Sequence, residues 1–328
     1  MKESDIRPAD LFQKYLDMSA ADAEAFFGAS ERFDIPCPAC ESATTKPAFE
    51  KWGFHYVVCD NCKTLYQSPR PPQADFSRFY QDSPSSRYWA QTFFPTVAEA
   101  RREKLFRPKV QEIANLCEKN HFSPHVIADI GAGYGLFLQE WRRSFPETQA
   151  IAVEPNPDMA DICRSKNLEV LECFAEEAGD LYGKVDLVVG LEVIEHVHDP
   201  FSFVCSLWKL LQTEGRILLT GLTIDGFDIQ VLWEHSKSIA PPHHINFMSV
   251  KGFETLLSRA GFKNIQVFTP GKLDVDIVRN TALEIPDILE NQRFIRILLE
   301  RRQETTEAFQ KFLSENQLSS HCWMWAEK

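Results

Sequence analysis

Three glycines at alternate positions follow a short apolar segment in the middle of the chain. Segment 126–130 carries an acid, Asp129, near its end. It is followed by Gly131, Gly133 and Gly135 and then by an amphipathic pattern typical of a helix. A strand that turns through glycines into a helix lets bare backbone approach a ligand at the helix N-terminus. The spacing D-x-G-x-G-x-G differs from the G-x-G-x-x-G of dinucleotide-binding turns.

Two pairs of cysteines near the N-terminus have the spacing of a metal site. The pairs are Cys37 with Cys40 and Cys59 with Cys62, and eighteen residues separate them. This matches the spacing of structural zinc sites, in which four thiolates complete a tetrahedron and leave no open position. A redox C-x-x-C is disfavoured because two pairs occur and no βαβ pattern surrounds them. The hairpin-like segment 49–58 between the pairs makes the unit resemble a zinc ribbon.

A second group of polar residues follows the apolar segment 185–190. Glu192, Glu195 and His196 have the spacing E-x-x-E-H and offer three proton acceptors or metal ligands. A histidine has an ordinary pKa near neutrality and is therefore suited to removing a proton from a reacting group.

These residues need a sheet to hold them, and the chain alternates between strand and helix patterns from 125 to 269. The predicted strands are 126–130, 150–154, 168–172, 185–190, 215–220 and 263–268. The predicted helices between them are 134–145, 157–166, 199–211 and 249–260. Such alternation predicts an α/β fold with a doubly wound, mostly parallel sheet.

We predict three regions along the chain. Residues 1–72 combine a helical preface with the cysteine module, 73–121 form a helical linker or lid, and 122–328 hold the sheet. Residues 273–316 are helical and rich in charge, and they are interpreted as an insertion into the last region. The linker is expected to break at Pro84, Pro95 and Pro108.

The charge and composition of the chain argue against some partners and locations. The 328 residues carry a net charge of −12, which disfavours nucleic acid as the main partner. The basic residues of 101–109 are typical of a solvated helix face. We expect no membrane span, since no apolar stretch reaches about 18–20 residues. The N-terminus is unlike a signal peptide, so a cytoplasmic protein is expected.

The glycine turn at 129–135 resembles motif I of class I S-adenosylmethionine-dependent methyltransferases. This resemblance implies a Rossmann-like seven-stranded sheet, closed by an antiparallel strand at 319–327, and S-adenosylmethionine as cofactor. Asp129 would face the methionine ammonium and Phe174 the adenine, and Glu154, at the end of the second strand, would bind the ribose. The expected cofactor-binding residues are Asp129, Gly131, Gly133, Gly135, Glu154, Phe174, Leu191 and Glu192.

The string E-V-I-E-H-V-H-D-P at 192–200 resembles a motif of ubiquinone-type O-methyltransferases and deoxysugar C-methyltransferases. P-P-H-H-I-N-F at 241–247 resembles a segment on the acceptor side of methyltransferases of sugar and polysaccharide pathways. The resemblance implies a small-molecule acceptor, a sugar or nucleotide-sugar methylated at O or C. The expected catalytic residues are His196 as base, Glu195 and His244; the expected substrate residues are Tyr88, Trp89 and His243.

Three alternatives remain open. Glu192, Glu195 and His196 could hold Mg²⁺ or Zn²⁺ in a metal-assisted O-methyltransferase of the quinone or catechol kind. A wide-spaced zinc site could use His235 with His243 and His244. The chain could also be an RNA methyltransferase, because some of these enzymes pair a zinc module with this fold, or a noncatalytic binding module built on the zinc ribbon.

Overall fold

The computed structural model describes residues 2–328. The strands are β1 (Thr45–Lys51), β2 (Phe54–Cys59), β3 (Leu65–Gln67), β4 (Val126–Ile130), β5 (Gln149–Val153), β6 (Glu169–Leu171), β7 (Val185–Leu191), β8 (Leu211–Leu222), β9 (Asn246–Phe247), β10 (Lys263–Phe268) and β11 (His321–Glu327). The α-helices are α1 (Ala9–Phe27), α2 (Gln73–Asp82), α3 (Pro84–Tyr88), α4 (Phe94–Arg101), α5 (Arg107–Lys119), α6 (Leu136–Ser144), α7 (Pro157–Ser165), α8 (Pro200–Leu210), α9 (Phe227–Leu232), α10 (Val250–Arg259), α11 (Asp274–Glu284), α12 (Arg293–Leu299) and α13 (Gln303–Glu315). No described helix has the length and apolarity that a membrane span requires.

Seven strands form the central sheet in the order β10-β11-β8-β7-β4-β5-β6. The pairs from β8 to β6 are parallel, and β11 runs antiparallel to both of its neighbours. The predicted seven-stranded, mostly parallel sheet is therefore confirmed, including its antiparallel closing strand.

Strand β8 is longer than predicted. It begins at Leu211, directly after α8, because Leu211 already pairs with Val185. The register then shifts, and the next pair is Leu187 with Arg216. Residues 212–215 have the composition of a turn, but they lie within the strand as an irregularity of its pairing.

Apolar side chains cover both faces of the sheet, as a parallel sheet requires. Along β4, Ala128 and Ile130 join one core cluster and Ile127 joins another, because successive strand residues point to opposite faces. Helices α8 and α10 supply the first cluster. Helices α5 and α6 supply the second, with Ile113 and Trp141 fully buried.

The predicted breaks at Pro95 and Pro108 are wrong. Helical backbone runs without interruption from α3 to α5, because a π-helical turn precedes each of these prolines, at Trp89–Phe93 and at Arg102–Phe106. A wider π turn accommodates a ring that would otherwise clash with the carbonyl four residues earlier. Pro84 does mark a boundary, since α3 begins there after Ser83.

The cysteine module shares a sheet with the rest of the protein. Its strands form a four-stranded sheet in the order β1-β2-β3-β9, and β9 belongs to the 241–247 segment. Leu65 pairs with Phe247, and Ser249 Oγ donates a hydrogen bond to the carbonyl of Cys62. The predicted boundary after residue 72 is therefore crossed by backbone pairing.

Helices α11 to α13 pack against one end of the molecule around a buried carboxylate. Asp274 accepts hydrogen bonds from Ser319 Oγ at 2.5 Å and from the backbone nitrogen of Ser320 at 2.7 Å. Gln310 Nε2 donates to the same carboxylate at 2.7 Å. These bonds tie the helical segment 273–316 to the start of β11.

Candidate active site

A cavity of about 1450 Å³ opens at the carboxyl ends of β4, β5 and β7. The strand order reverses at β4, since β5 and β6 lie on one side and β7 and β8 on the other. Ligands of open α/β sheets bind in the crevice at such a point. Residues from the 73–121 helices, Trp89 and Phe94 among them, line part of the cavity.

The glycine turn lies at the floor of this cavity. Gly133 has φ +53°, and a Cβ placed on it would meet no atom within 4 Å. Its backbone nitrogen donates to Glu154 Oε2 at 2.7 Å, and the nitrogen of Asn156 donates to Glu154 Oε1 at 2.9 Å. The turn and the end of β5 therefore hold one carboxylate at the cavity wall, as expected for a group that receives two hydroxyl donors.

Gly135 differs from the other two glycines. It has φ +64° and precedes α6, and a Cβ there would lie 2.6 Å from Leu168 Cδ1 and 3.0 Å from Cys163 Sγ. Gly131 and Gly133 line the cavity, and Gly135 is outside its lining. The third glycine thus permits close packing of the start of α6 against α7 and against Leu168, which precedes β6.

Asp129 and Phe174 line the cavity on either side of the turn. Asp129 is 3% exposed, and burial raises the pKa of its carboxyl well above the ordinary value, with Glu154 adding to the rise. Lys109 acts on this carboxyl only at a distance, and none of residues 2–328 forms an ion pair with it, so it is placed to receive an ammonium group. Phe174 is 55% exposed, so its ring is free to cover a flat ligand. Leu191, at the end of β7, lines the same space.

Glu192 has three polar side chains around one of its carboxylate oxygens. Its Oε1 accepts a hydrogen bond from Thr220 Oγ1 at 2.6 Å and lies 3.5 Å from Lys109 Nζ and 3.3 Å from His321 Nδ1. Although burial opposes ionisation, His321 and Lys109 hold the pKa of Glu192 well below its usual range.

Glu195, His196 and His244 converge from two loops. One ligating atom from each lies within 4.8 Å of those of the other two. His196 Nδ1 donates to the carbonyl of His243 at 2.9 Å, and His244 Nδ1 donates to that of Ser238 at 2.6 Å. A carbonyl can only accept, so each imidazole keeps its proton on Nδ1 and its lone pair on Nε2.

The electrostatics of this cluster favour neutral imidazoles. Burial lowers the pKa of His196 to about 4 and that of His244 to about 3. Glu195 is 2% exposed, and its Oε2 has no hydrogen-bond partner among residues 2–328. Burial raises the pKa of this carboxyl well above its usual range. The Nε2 lone pairs of the two imidazoles and the carboxyl of Glu195 therefore meet in one space, which suits either a proton, held by Glu195 as its raised pKa favours, or a cation.

Residues outside the predicted set hold the two loops together. Arg70, 1% exposed, donates from Nη1 to the carbonyl of His198 at 2.6 Å and from Nη2 to Asn246 Oδ1 at 2.8 Å. Asn246 Nδ2 donates to the carbonyl of Val197 at 2.7 Å. Tyr56, in the cysteine module, donates to the carbonyl of His244 at 2.6 Å. Asn246 could have been found from the sequence, because it belongs to the string P-P-H-H-I-N-F. Arg70 could not, because it is a single arginine in the irregular segment 67–72.

The three predicted substrate residues occupy different positions. His243 lines the cavity; its Nε2 lies 3.2 Å from Ser85 Oγ and its ring packs edge-on against Phe79. Trp89 lines the cavity and stacks on Phe93 at 4.4 Å. Tyr88 is outside the lining, and its hydroxyl donates to the carbonyl of Leu11.

His235 lies outside the lining of this cavity. Among the described residues, no group with metal-site geometry includes it. The alternative of a wide-spaced zinc site, with His235 beside His243 and His244, is therefore not assembled in this structure.

The four cysteines of the N-terminal module converge. Their sulfurs lie within 4.8 Å of one another, with 3.5 Å from Cys37 to Cys62 and from Cys40 to Cys59. A tetrahedral zinc site with metal–sulfur distances near 2.3 Å has sulfur–sulfur edges of about 3.8 Å. The donor set thus fits a structural Zn²⁺, which we propose for this site.

Replacement of Cys40 by serine tests the zinc proposal. We expect Cys40→Ser to lose the bound zinc and to lower Tm by on the order of 10 °C, because metal binding contributes folding free energy. Affinity for S-adenosylhomocysteine should be retained, since the glycine turn belongs to the other sheet. Zinc content and thermal melting are the measurements, with Cys205→Ser as the control outside the cluster. Full zinc occupancy in Cys40→Ser would contradict the proposal.

Comparisons with known proteins agree with this geometry. Residues 98–267 match the model of a methyltransferase domain family, which is more than half of the chain. The chain is similar to the tRNA U34 carboxymethyltransferase of Sulfurimonas denitrificans, with 27% identity over 163 residues, 48% of this chain and 54% of the relative. It is also similar to the ubiquinone biosynthesis O-methyltransferase of Ruegeria sp., with 29% identity over 44% of this chain and 64% of the relative. The chain thus spans about half the length of the curated relatives it first matches.

Solved structures share the fold. The plantazolicin methyltransferase BpumL, in complex with SAH, has a TM-score of 0.51 and 14% identity, covering 77% of this chain and 93% of that one. A SAM-dependent methyltransferase from Archaeoglobus fulgidus has a TM-score of 0.50 and 17% identity, covering 73% and 100%. By its match to the family model over more than half of its length, the chain belongs to the methyltransferase domain family, and these solved structures share its fold.

Proposed function

We propose that this enzyme methylates a small molecule, a sugar or nucleotide-sugar, at oxygen or carbon. His196 is the general base of this proposal. The observation that carries it is the hydrogen bond from His196 Nδ1 to the carbonyl of His243, which leaves the Nε2 lone pair beside Glu195 in the cavity. A neutral imidazole held in one tautomer is prepared to accept a proton from a hydroxyl or an acidic C–H.

In this proposal the cofactor occupies the β4–β5 side of the cavity. Asp129 would receive the methionine ammonium, Glu154 the ribose hydroxyls, and Phe174 and Leu191 the adenine. Gly131 and Gly133 would let the backbone approach the ligand closely. The bound cofactor supplies an electrophilic methyl group, and the protein orients the acceptor, excludes water and removes a proton.

The acceptor would lie between the 73–121 helices and the His196–His244 side of the cavity. Trp89 and His243 line that part, and we propose both as substrate contacts. The cavity is larger than the roughly 300–1,000 Å³ of typical small-ligand pockets, as expected for a cofactor and a small acceptor together. RNA is a weaker candidate, because the net charge is −12 although some relatives are named for tRNA.

Methyl-labelled S-adenosylmethionine with a panel of nucleotide-sugars, including 4-keto sugars, tests this function. NMR would locate the label. Label on carbon would mean that the acceptor loses a C–H proton, and label on oxygen would mean that it loses a hydroxyl proton. In either case His196 is the group that we propose to receive the proton. Absence of label on every sugar would overturn the sugar assignment and direct the same assay to quinones and tRNA.

A second candidate is metal-assisted O-methylation of a quinone- or catechol-type acceptor. The favoured ligand set is Glu195, His196 and His244, whose ligating atoms converge. Glu192, a member of the expected set, is instead paired with Lys109 and His321. Both imidazoles donate from Nδ1 to backbone carbonyls, an arrangement that orients metal-bound histidines. Two imidazoles and one carboxylate suit a divalent transition metal better than Mg²⁺.

Chelation separates the two candidates. If His196 acts as base, protein treated with EDTA and still holding its cysteine-bound zinc should keep full turnover. Metal content before and after treatment, measured with the initial rate, checks this. Loss of turnover that Mn²⁺ or Zn²⁺ restores, together with calorimetric binding of that ion that Glu195→Gln abolishes, would establish the metal-assisted reaction.

A further inference from the structure

Two arginines at the cavity lack partners for their guanidinium groups. Arg7 and Arg101 both line the cavity. Arg7 Nε and Arg101 Nε and Nη1 are hidden from solvent and have no hydrogen-bond partner among residues 2–328. A hidden N–H without an acceptor costs free energy, so each guanidinium is placed for an acceptor that the protein itself does not supply.

The four lysines of the cavity differ from these arginines because each has a carboxylate partner. Their pairs are Lys104 with Asp5 at 2.8 Å, Lys109 with Glu192 at 3.5 Å, Lys237 with Glu284 at 2.6 Å and Lys272 with Glu112 at 3.0 Å. Glu192 acts on Arg101 only at a distance, and its carboxylate is already shared with Lys109 and His321. The uncompensated positive charge of the cavity is therefore concentrated at the two arginines and at the exposed Arg87.

Aromatic rings hold both guanidinium groups by their faces. Arg7 Cζ lies 5.3 Å from the ring centre of Phe12, and Arg101 Cζ lies 5.3 Å from that of Phe94 and 5.9 Å from that of Trp89. A guanidinium that lies over an aromatic face can still donate from its N–H groups, whose planar arrangement matches a carboxylate or phosphate.

Packed rings connect the two arginines, since Phe12 lies 6.1 Å from Phe93 and Phe93 stacks on Trp89 at 4.4 Å between ring centroids. Burial and the charge of Arg7 lower the pKa of Arg101 to about 10, so it stays cationic at neutral pH. The ring of Phe12, beside Arg7, stacks on Tyr15 at 6.0 Å between centroids, and Tyr15 lies 5.3 Å from the ring of His243 in the second loop of the site. Arg7 therefore belongs to the acceptor side of the cavity. The expected solvated face at 101–109 is wrong for Arg101, because this residue lines the cavity and its Nε and Nη1 are hidden from solvent.

We propose that Arg7 and Arg101 form an oxyanion site that holds a carboxylate or phosphate group of the methyl acceptor. This inference rests on the proposed function, since it names the chemical class of the acceptor. The anion would anchor one end of the acceptor and leave its nucleophilic end at the Glu195–His196–His244 cluster.

Anion binding to the full-length protein saturated with S-adenosylhomocysteine tests the site. Calorimetric titrations with inorganic phosphate and with malonate would use wild type, Arg7→Gln, Arg101→Gln and Arg87→Gln. Arg87 lines the same cavity but is exposed, so Arg87→Gln controls for the loss of one positive charge. We expect phosphate, malonate or both to bind wild type, and Arg7→Gln and Arg101→Gln each to weaken binding about tenfold or more. Arg87→Gln should change it less than twofold.

Tighter binding of phosphate than of malonate would identify a phosphorylated acceptor, and the reverse order a carboxylated one. Equal anion affinity in wild type and Arg101→Gln would overturn the proposal. A second pair of results would also overturn it: the anion fails to bind when S-adenosylhomocysteine is present, and Arg101→Gln weakens the binding of S-adenosylhomocysteine. Arg101 would then bind the carboxylate of the cofactor and not the acceptor. Unchanged thermal melting of the variants shows that they fold. The titrations need no turnover, so they stand apart from the test of His196.

Discussion

Gly133→Val should abolish cofactor binding. Gly133 has φ +53°, a region that costs an L-residue roughly 1–2 kcal/mol, and valine is among the least tolerant residues there. Its Cβ would meet no protein atom within 4 Å, since it would project into the cavity that the cofactor is proposed to fill. We expect no detectable heat of S-adenosylhomocysteine binding at concentrations that saturate wild type.

Gly183→Val is the matched control for this change. Gly183 has φ +68°, an added Cβ also meets nothing within 4 Å, and the residue is outside the cavity lining. It should suffer the same backbone strain, lower Tm by a similar amount and leave the cofactor affinity unchanged. Near-normal affinity in Gly133→Val would refute the assignment of the glycine turn to the cofactor.

His196→Ala should lower turnover by roughly 10²–10⁴-fold, the usual contribution of a general base. The affinity for S-adenosylhomocysteine should stay within about twofold of wild type, because His196 follows β7 on the side away from Gly133 and Glu154. Steady-state rates with saturating cofactor, together with calorimetry of S-adenosylhomocysteine, separate the two effects.

The control is His235→Ala, which removes an exposed histidine outside the cavity. It should match wild type in both measurements. His196→Ala with near-normal turnover would remove this residue as base. A loss of turnover that added Mn²⁺ partly restores would assign His196 to metal binding.

The central sheet was predictable because its information is local. Buried strands such as 126–130 and 185–190 are continuous apolar runs bounded by turn residues, and a parallel sheet follows from their alternation with helices. The glycine turn was equally local, since three glycines within five residues define it. The early start of β8 was not predicted, because residues 212–215 have the composition of a turn but lie within a strand that pairs with β7. The continuous helix through Pro95 and Pro108 was not predicted either, because a π turn before each proline lets the helix continue.

The polar framework around the cluster depends on contacts between distant residues. Arg70 reaches Asn246, and Tyr56 reaches the carbonyl of His244, across more than half of the chain. Arg7 and Arg101 are also far apart in the sequence, and both line the same cavity. No local pattern distinguishes a buried arginine from a solvated one, so these positions required the three-dimensional structure.

The pairing of β3 with β9 has a consequence for the way the protein must assemble. Leu65 and Phe247 are separated by 182 residues, so the last strand of the N-terminal sheet does not exist until most of the chain has been synthesised. Closing so long a loop is slow compared with forming the β1–β2 hairpin. During translation the cysteine module therefore presents an unpaired strand edge, which chaperones or early metal binding would have to protect. A fragment that ends before residue 246 would keep this edge, and it should be prone to aggregation even with all four cysteines present.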